Sequence, residues 1–341
     1  MTSSSRPSNW TTDVASSRSD TFRSLRNRNA RLFFGGLLVS NVGTWLQSTA
    51  MSILVYRLTG KATDLGITVA LQFLPMLLLG AWAGALSDRH DKRRTSLITQ
   101  SAMAAQAILL GALDLAGLVN VPVVYGLALV LGVANAFDNP SRRGLVVELV
   151  PEADISNAMS LNTAVMTGSR IFGPALAAAL VGPLGTGWCF MLNGLSFAAV
   201  LASLAMLNVS ELRISPKAPA GGTPVRDALR FVRGDRELLT LHLVLVVVST
   251  FAFNYSVSLP KLSAVRWGDE RWFGWVLAVV SVGSVTGSLL VASRKSASIR
   301  VFYASVVLLG VSGPCLAWAP SGWWAFRSEE HTSELQSPYV I

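Results

Sequence analysis

The sequence predicts an all-α polytopic membrane protein, and three observations carry that prediction. Hydrophobic residues make up 51% of the 341 residues and charged residues only 14%, against about 25% in an ordinary soluble domain. Nine apolar runs are long enough to cross a bilayer, which needs about 20 residues per helix. Lysine and arginine outnumber aspartate and glutamate by 28 to 19, and most bases fall in alternate connections between the runs. So little polar surface could not coat a soluble protein of this apolar mass.

Each apolar run is predicted to be a helix, because a segment in lipid must satisfy its own backbone hydrogen bonds. The nine predicted helices are Leu32–Val55, Gly66–Leu86, Thr95–Val119, Val121–Phe137, Asn157–Val181, Gly187–Leu207, Leu239–Leu259, Trp272–Ser293 and Val301–Ala319. A tenth helix begins at Gly322 and is interrupted after Phe326. Buried core helices of a large soluble protein are the alternative, and nine long runs with short gaps disfavour it.

The polar segments predict how the chain is divided. Residues 1–31 are rich in serine, threonine, arginine and asparagine and predict a disordered cytoplasmic tail. Predicted helices 1 to 6 form a complete bundle over residues 32–207. Residues 208–237 form a cytoplasmic linker, in which the spacing of apolar and basic residues predicts a surface helix. Residues 238–326 form a second bundle, which we expect to be truncated after about three helices.

The last segment, residues 327–341, interrupts the tenth apolar run abruptly. From Arg327 to Ser337 it resembles a translated sequencing adapter. We therefore leave it out of the fold prediction, and a natural short polar tail is the alternative.

The distribution of basic residues predicts the orientation. With the N-terminal tail in the cytoplasm and sides alternating, 21 of the 28 lysines and arginines fall on the inner side and five on the outer side. Cytoplasmic loops of membrane proteins carry such an excess. We therefore expect a multi-pass protein of the cell membrane (inner or plasma membrane) with a cytoplasmic N-terminus. Its bases are expected to contact anionic lipid headgroups rather than nucleic acid.

The connection between predicted helices 2 and 3 has the most specific sequence pattern. It runs from Gly84 to Arg94 and includes Asp88, Arg89 and Arg93. An acid at a helix end followed by several bases favours a charge cluster that latches helix ends in one conformation and releases them in another. An ordinary basic cytoplasmic loop explains the bases alone, but it does not explain the ordered glycine, leucine, aspartate and arginine.

This run resembles the signature G-x-L-x-D-R-x-x-R/K-R-R of the major facilitator superfamily, with Asp91 where many members have glycine. Predicted helix 5 is similar to the antiporter pattern of that superfamily: Ser169, next to Arg170, and then Gly173 and Pro174 occupy its slots, with small residues replacing some glycines. A generic packing face with a proline kink is the alternative. Further runs resemble the enterobactin-exporter-like (transmembrane secretion effector) branch, and the whole resemblance covers about residues 31 to 326.

The resemblance implies the major facilitator fold, in which two six-helix bundles rock around a central cavity. It implies a secondary-active transporter, and members of this branch are usually proton-driven exporters of siderophores, antibiotics or other amphipathic molecules. The expected partners are a small-molecule substrate, protons as the coupling ion and membrane lipid, with the protein a monomer. An importer of the same fold and a non-transporting membrane sensor or scaffold are the alternatives.

Polar residues inside the predicted helices are the candidate cavity residues. Arg170 lies near the middle of predicted helix 5, where a charge costs at least about 2.5 kcal/mol and should face a cavity or a structural partner. Asn41, Thr44 and Gln47 are candidate substrate contacts, because the first helix lines the cavity in the resembled fold. Asp138 is expected at the inner end of predicted helix 4, where it either joins the latch or marks the helix end.

The sequence carries no recognisable catalytic or metal-binding motif. The patterns G-x-S-x-G, H-E-x-x-H, G-x-G-x-x-G and the P-loop are not found, and the chain has only three histidines. Cys189 and Cys315 lie in separate apolar runs and predict no disulfide. We therefore expect a protein that is not an enzyme, with no cofactor, no metal and no catalytic residue.

Overall fold

The structure, a computed structural model, describes residues 22–213, 230, 232–252, 255–268, 272–277 and 279. Within these residues every regular element is helical, which confirms the predicted fold class. The first half consists of α1 (Arg28–Thr59), α2 (Ala62–Ser87), α3 (Lys92–Leu115), α4 (Val121–Glu148), α5 (Ile155–Leu184) and α6 (Thr186–Ala205). Most of predicted helix 8, all of predicted helix 9 and residues 327–341 lie outside the described residues.

All six helices predicted for the first half are present, but most of their ends differ by a few residues and the end of α4 differs most. α1 begins at Arg28, so the predicted tail of residues 1–31 extends too far. Asn27 starts the helix, because its side-chain oxygen accepts hydrogen bonds from the backbone N–H groups of Asn29 and Ala30. α4 continues well past its predicted end at Phe137, because the polar residues that follow are buried within the bundle.

A short 3₁₀ helix over Arg23–Arg26 fastens the chain before α1 to the rest of the bundle. The Nε of Arg23 lies 2.5 Å from Oδ1 of Asp154, in the connection before α5. The backbone N–H of Ser24 donates to the side-chain oxygen of Asn157 over 2.9 Å. These contacts hold the start of α1 beside the start of α5.

Five of the described helices, α2 to α6, are long and apolar enough to cross a membrane. α1 has 32 residues but a more polar sequence, and it buries many polar side chains against its neighbours. It packs along α5 and α6, while α3 packs against α4 and α6, and α2 packs against α4. The polar residues of α1 are therefore accommodated by the bundle rather than by lipid.

Glycine residues, which have no side chain, allow α1 to approach two other helices closely. A Cβ atom on Gly43 would collide with Ser196 and Asn193 of α6. A Cβ atom on Gly173 of α5 would collide with the Cβ of Trp45. Small residues permit such close backbone approaches in membrane bundles. α1 is thereby packed closely between α5 and α6.

The bundle has two ends with separate apolar clusters. The basic end carries Arg28, the 88–91 turn, residues 149–154 and the end of α6, and its cluster includes Phe33, Leu145 and Phe197. The opposite end carries the α1–α2, α3–α4 and α5–α6 connections, and its cluster includes Leu54 and Phe190. Polar side chains occupy the zone between these clusters, and this zone contains the candidate site.

The second half meets the first at the opposite end. It includes α7 (Arg236–Ala252), α8 (Tyr255–Arg266) and a helical segment over 272–277. Leu259, Phe273 and Val276 are fully buried in the same cluster as residues of α1 and α5. α8 also packs against α1 and α2. This end of the space between the halves is therefore closed by apolar packing.

Candidate functional site

The signature turn at the basic end is built by two helix caps. α2 ends at Ser87, and the backbone N–H of Asp88 donates to the carbonyl of Gly84. Asp91 caps α3, since its Oδ1 accepts from the backbone N–H of Arg94 over 3.0 Å. This capping role explains an aspartate where the resembled family often has glycine. Asp88 and Arg89 are exposed, and within the described chain neither makes an ion pair.

Two other bases of the turn, Arg93 and Lys92, are tied to neighbouring helices. Nε of Arg93 donates to the carbonyl of Leu204 over 2.6 Å, and Nη2 donates to the carbonyl of Ala205 over 3.0 Å. Nζ of Lys92 lies 2.5 Å from Oε1 of Glu148, with both side chains largely buried. Arg93 therefore caps α6, and Lys92 links α3 to α4.

The five predicted latch residues thus separate into two groups in the structure. Arg93 is a helix-capping residue, and Arg94 lies 3.7 Å from Asp91 of its own turn, at the surface. Gly84, Asp88 and Arg89 remain available at the edge of the bundle. A Cβ atom on Gly84 would meet nothing within 4 Å. Within the described residues, the glycine, the acid and one base of the signature therefore make no side-chain contact with another helix.

The small residues of the helix 5 pattern face two neighbours. Ser169 is fully buried, and its hydroxyl donates to the carbonyl of Val165 in its own helix. Gly173 lies against α1, as described above. The carbonyl of Pro174 is 2.7 Å from the position that a Cβ of Gly274 would take, so this side of α5 meets the second half. The pattern therefore forms a packing face shared by α1, α5 and the 272–277 segment.

Arg170 is adjacent to this packing face but is itself exposed. Its guanidinium carbon lies 5.2 Å from the ring centroid of Trp45 in α1, a cation–π distance. In the part of the chain that the structure covers, Arg170 makes no ion pair. It precedes Pro174 by one helical turn, so both residues lie on the same side of α5. The side chain therefore borders the space between the two halves.

Asn41 and Thr44 lie on the polar side of α1. Asn41 is 6% exposed, its amide nitrogen is 3.1 Å from Sδ of Met166 in α5, and its oxygen accepts from Nη1 of Arg142 over 3.3 Å. Thr44 is half-buried, and its hydroxyl donates to the carbonyl of Ser40. Asn41 thus connects α1 to α4 and α5, while the hydroxyl of Thr44 is occupied within its own helix.

Gln47 does not share this location. It is 2% exposed, and its amide nitrogen donates to Oε1 of Gln106 in α3 over 3.0 Å. Its oxygen accepts from Nδ2 of Asn193 in α6 over 2.7 Å. Six residues of helix rotate the side chain by about 240° relative to Asn41. The structure therefore places Gln47 inside the bundle as a link between three helices, and not with the cavity candidates.

Asp138 occupies a position that its sequence context did not predict. It lies within α4, ten residues before the end of that helix at Glu148, and is 1% exposed. Its carboxylate accepts from Oγ1 of Thr99 over 2.9 Å and from Nε2 of Gln100 over 3.0 Å. Oδ2 is 3.6 Å from Nε of Arg142. Asp138 is therefore neither part of the latch nor a helix end, but a buried carboxylate paired with an arginine.

The buried pair extends to the first helix. Nη2 of Arg142 donates to Oδ1 of Asn139 over 3.1 Å, and Nη1 donates to Asn41, as described above. A continuous chain of polar contacts thus runs from α3 through Asp138 and Arg142 to α1. The four-residue spacing of Asp138 and Arg142 was the sequence signal for this pair. Among the described residues, no three histidine, cysteine, aspartate or glutamate side chains are grouped as metal ligands.

Comparison with known proteins places the whole arrangement in one family. The family model described as transmembrane secretion effector, of the major facilitator superfamily, matches residues 19–327. The uncharacterized MFS-type transporter YfiS of Bacillus subtilis is 25% identical over 284 residues, which are 80% of this chain and 66% of YfiS. The chain thus spans slightly less than two thirds of that relative.

Two relatives have names that state what they transport. The staphyloferrin A transporter of Staphylococcus aureus is 23% identical, covering 83% of this chain and 72% of that protein. The multidrug efflux pump Tap of Mycolicibacterium fortuitum is 28% identical, again over 83% and 72%. Both similarities extend beyond the first six helices, since they cover more than four fifths of the chain.

Solved structures show the same fold. A bacterial homolog of the human lysosomal transporter Spinster, in an inward-facing and unoccupied conformation, superimposes with a TM-score of 0.66 over 90% of this chain and 74% of that chain. Its sequence identity is 14%, so this likeness concerns the fold alone. The chain therefore belongs to the transmembrane secretion effector family of major facilitator superfamily transporters, as the family-model match over residues 19–327, the helical bundle and these relatives show.

Proposed function

We propose that this transporter is a proton-driven exporter of small amphipathic molecules that works by alternating access. In this proposal the basic end lies in the cytoplasm, as the excess of lysine and arginine on that side favours. The names of relatives support export, since they include a multidrug efflux pump and macrolide efflux proteins of Streptococcus pyogenes and Enterococcus faecalis. The substrate is taken from the cytoplasm and released outside.

The observation that carries the proton coupling is the buried Asp138–Arg142 pair. A carboxylate with 1% exposure in a membrane helix can exist as an anion only while its charge is compensated. Arg142 is the charged side chain that the described structure places against it, and Thr99 and Gln100 supply neutral donors. A proton on Asp138 removes one charge of this pair, so the pairing weakens and Arg142 becomes free to move.

Arg142 transmits this change to α1 and α5. Its guanidinium holds Asn41 of α1, and Asn41 also contacts Met166 of α5. Protonation of Asp138 therefore alters contacts on three helices of the first half. This is the physical link that an exchange of protons against substrate needs, because each ligand must change the relative stability of the two conformations.

The closed opposite end supports an inward-open resting conformation. Leu259, Phe273 and Val276 are buried between the halves at that end. With the basic end in the cytoplasm, the apolar packing seals the space between the halves from the outside. Transport to the outside would require these side chains to separate while the basic end closes.

Transport into everted membrane vesicles tests direction and coupling together. Vesicles containing the chain are energised to an acidic interior, and accumulation of fluorescein (anionic) and of rhodamine 123 (cationic) is followed. We expect accumulation of at least one compound, with its collapse on adding a protonophore. Accumulation that continues unchanged after the protonophore is added would overturn proton coupling. Accumulation only in right-side-out vesicles would identify an importer.

Replacement of the buried acid makes the coupling test specific. Asp138→Asn preserves the size of the side chain but removes the charge, so we expect loss of gradient-driven accumulation with downhill exchange retained. Glu152→Gln alters an exposed carboxylate in the connection before α5 and serves as the matched control. Full gradient-driven accumulation by Asp138→Asn would remove Asp138 from the mechanism.

A further inference from the structure

We infer that the site formed by Trp45 and Arg170 binds the carboxylate of the substrate, so the exported molecule is an amphipathic anion rather than a cation. The inference rests on the proposed transport function and names its substrate class. It starts from one contrast in the structure. Arg142 and Arg170 both contact α1, and of these two only Arg142 has an acidic partner within the described chain.

Contacts on both sides of Arg170 fix the direction it faces. Three residues later Gly173 lies against α1, and four residues later the carbonyl of Pro174 meets Gly274 of the second half. Residues at these spacings share one side of a helix. Arg170 therefore lies between the α1 contact and the contact with the second half. It borders the space between the halves, on the basic side of the apolar closure, where a substrate entering from the cytoplasm would arrive.

The charge of Arg170 requires compensation at this depth. A guanidinium stays protonated in proteins, and a charge inside a membrane is stable only with a partner or water. Arg142 has the carboxylate of Asp138 and the side-chain oxygens of Asn41 and Asn139. Arg170 has the ring of Trp45 and no carboxylate within the described residues. A carboxylate brought by the substrate would supply the missing charge.

The neighbourhood of Arg170 also fits the rest of an amphipathic molecule. The indole of Trp45 offers a broad apolar surface next to the guanidinium, so an apolar body can pack beside the bound carboxylate. Asn41 lies four residues before Trp45, about 6 Å along the helix axis, and holds the second arginine. The planar guanidinium suits a carboxylate because it can donate two parallel hydrogen bonds. An organic cation in this position would be repelled by Arg170, whose charge no carboxylate of the described residues compensates.

Two dyes with the same ring system but opposite charge provide the test. The full chain is placed in nanodiscs of phosphatidylcholine, and binding of fluorescein (anionic) and rhodamine 123 (cationic) is measured by fluorescence anisotropy at equilibrium. We expect tighter binding of fluorescein. Arg170→Gln should weaken it about tenfold or more, as the loss of one charge-assisted hydrogen-bond partner does, while Arg170→Lys should retain part of the affinity.

Control variants and lipids distinguish this site from nonspecific dye binding and from a lipid-binding site. Arg143→Gln removes an exposed arginine of α4 and should leave fluorescein binding unchanged. Unchanged binding to Arg170→Gln, or tighter binding of rhodamine 123 than of fluorescein, would overturn the inference. A third result would also overturn it: in mixed nanodiscs, phosphatidylglycerol is retained in a way that depends on Arg170 and is not displaced by fluorescein. The site would then hold a lipid headgroup.

The dye-binding test and the vesicle assay can contradict the two proposals independently. Equilibrium binding needs no proton gradient, so Arg170-dependent binding of fluorescein without transport would refute the proposed function and leave the anion site standing. Protonophore-sensitive transport of rhodamine 123, with no response of fluorescein binding to Arg170→Gln, would do the reverse. Thermal unfolding of each variant in detergent shows that it is folded, and Arg170→Lys gives a second variant that keeps the charge.

Discussion

Nε of Arg93, at the start of α3, donates to the backbone carbonyl of Leu204, at the end of α6, over 2.6 Å. Carbonyl groups of the last turn of a helix have no partner within the helix. A cationic donor satisfies them and interacts favourably with the negative end of the helix dipole. One arginine of the family signature therefore joins two helices of the same bundle, whatever the exposed Asp88 and Arg89 contact in another conformation.

The cap predicts a specific loss of stability. Arg93→Ala leaves the carbonyls of Leu204 and Ala205 unsatisfied at the bundle edge, so the free energy of unfolding should fall by about 1 to 3 kcal/mol. Arg94→Ala removes an exposed neighbour that is 3.7 Å from Asp91 and should cost less than about 1 kcal/mol. Unfolding in detergent by urea measures both, and equal losses would contradict the capping role.

The Lys92–Glu148 pair predicts strong non-additivity. Lys92→Met leaves the buried carboxylate of Glu148 without its partner, which should cost about 3 to 5 kcal/mol. Lys92→Met combined with Glu148→Leu removes both charges and should recover most of that loss. A double-mutant cycle of unfolding free energies gives the coupling. If the double variant were as unstable as the sum of the single variants, the pair would not be the source of the loss.

The close contact of α5 with α1 predicts that a single methyl group is harmful at one glycine and harmless at another. Gly173→Ala forces its Cβ against Trp45, so we expect destabilisation of about 1 to 3 kcal/mol. Gly168→Ala adds a Cβ in open space on the same helix and should be neutral or stabilising by up to about 1 kcal/mol. Thermal unfolding midpoints in detergent compare the two, and a stable Gly173→Ala would contradict the observed helix spacing.

The position of Gln47 predicts an effect on stability without an effect on ligand binding. Gln47→Leu removes the hydrogen-bond partner of Oε1 of Gln106 and of Nδ2 of Asn193 inside the bundle, which should cost about 1 to 3 kcal/mol. The affinity for fluorescein should remain within twofold of the original, about 0.4 kcal/mol. Thr44→Val removes a hydroxyl bonded only to its own helix and should change stability by less than about 1 kcal/mol. A large loss of fluorescein affinity in Gln47→Leu would contradict this prediction and would indicate that Gln47 contacts the ligand.

The exposed acid of the signature predicts the opposite pattern. Asp88 makes no ion pair within the described chain, so Asp88→Asn should leave expression, membrane insertion and thermal stability unchanged. Transport in the vesicle assay should nevertheless fall about tenfold or more, because a lost charge contact of one conformation shifts the balance between the two. A sensor or scaffold would be indifferent to the change, so full transport by Asp88→Asn would contradict the latch.

Much of the architecture could be predicted because lipid imposes one simple rule. Runs such as Val121–Phe137 must satisfy their backbone groups internally, so apolar length alone predicts a helix. Apolar length does not predict where a helix ends when the polar residues that follow the apolar run are buried within the protein. α4 continues to Glu148 because residues such as Asp138 and Ser141 face the bundle, and no local pattern shows that they are shielded from water.

The sequence by itself determined that this protein is a helical membrane bundle with six helices in its first half, and its motifs pointed to the family. The tertiary structure decided which polar residues belong together. Gln47 turned towards α3 and α6, Asp138 paired with Arg142, and Arg170 was left beside Trp45 without an acidic partner among the described residues. The physical reason is that helix periodicity gives the direction of a side chain only relative to its own axis, whereas its partner depends on how each helix is rotated against its neighbours.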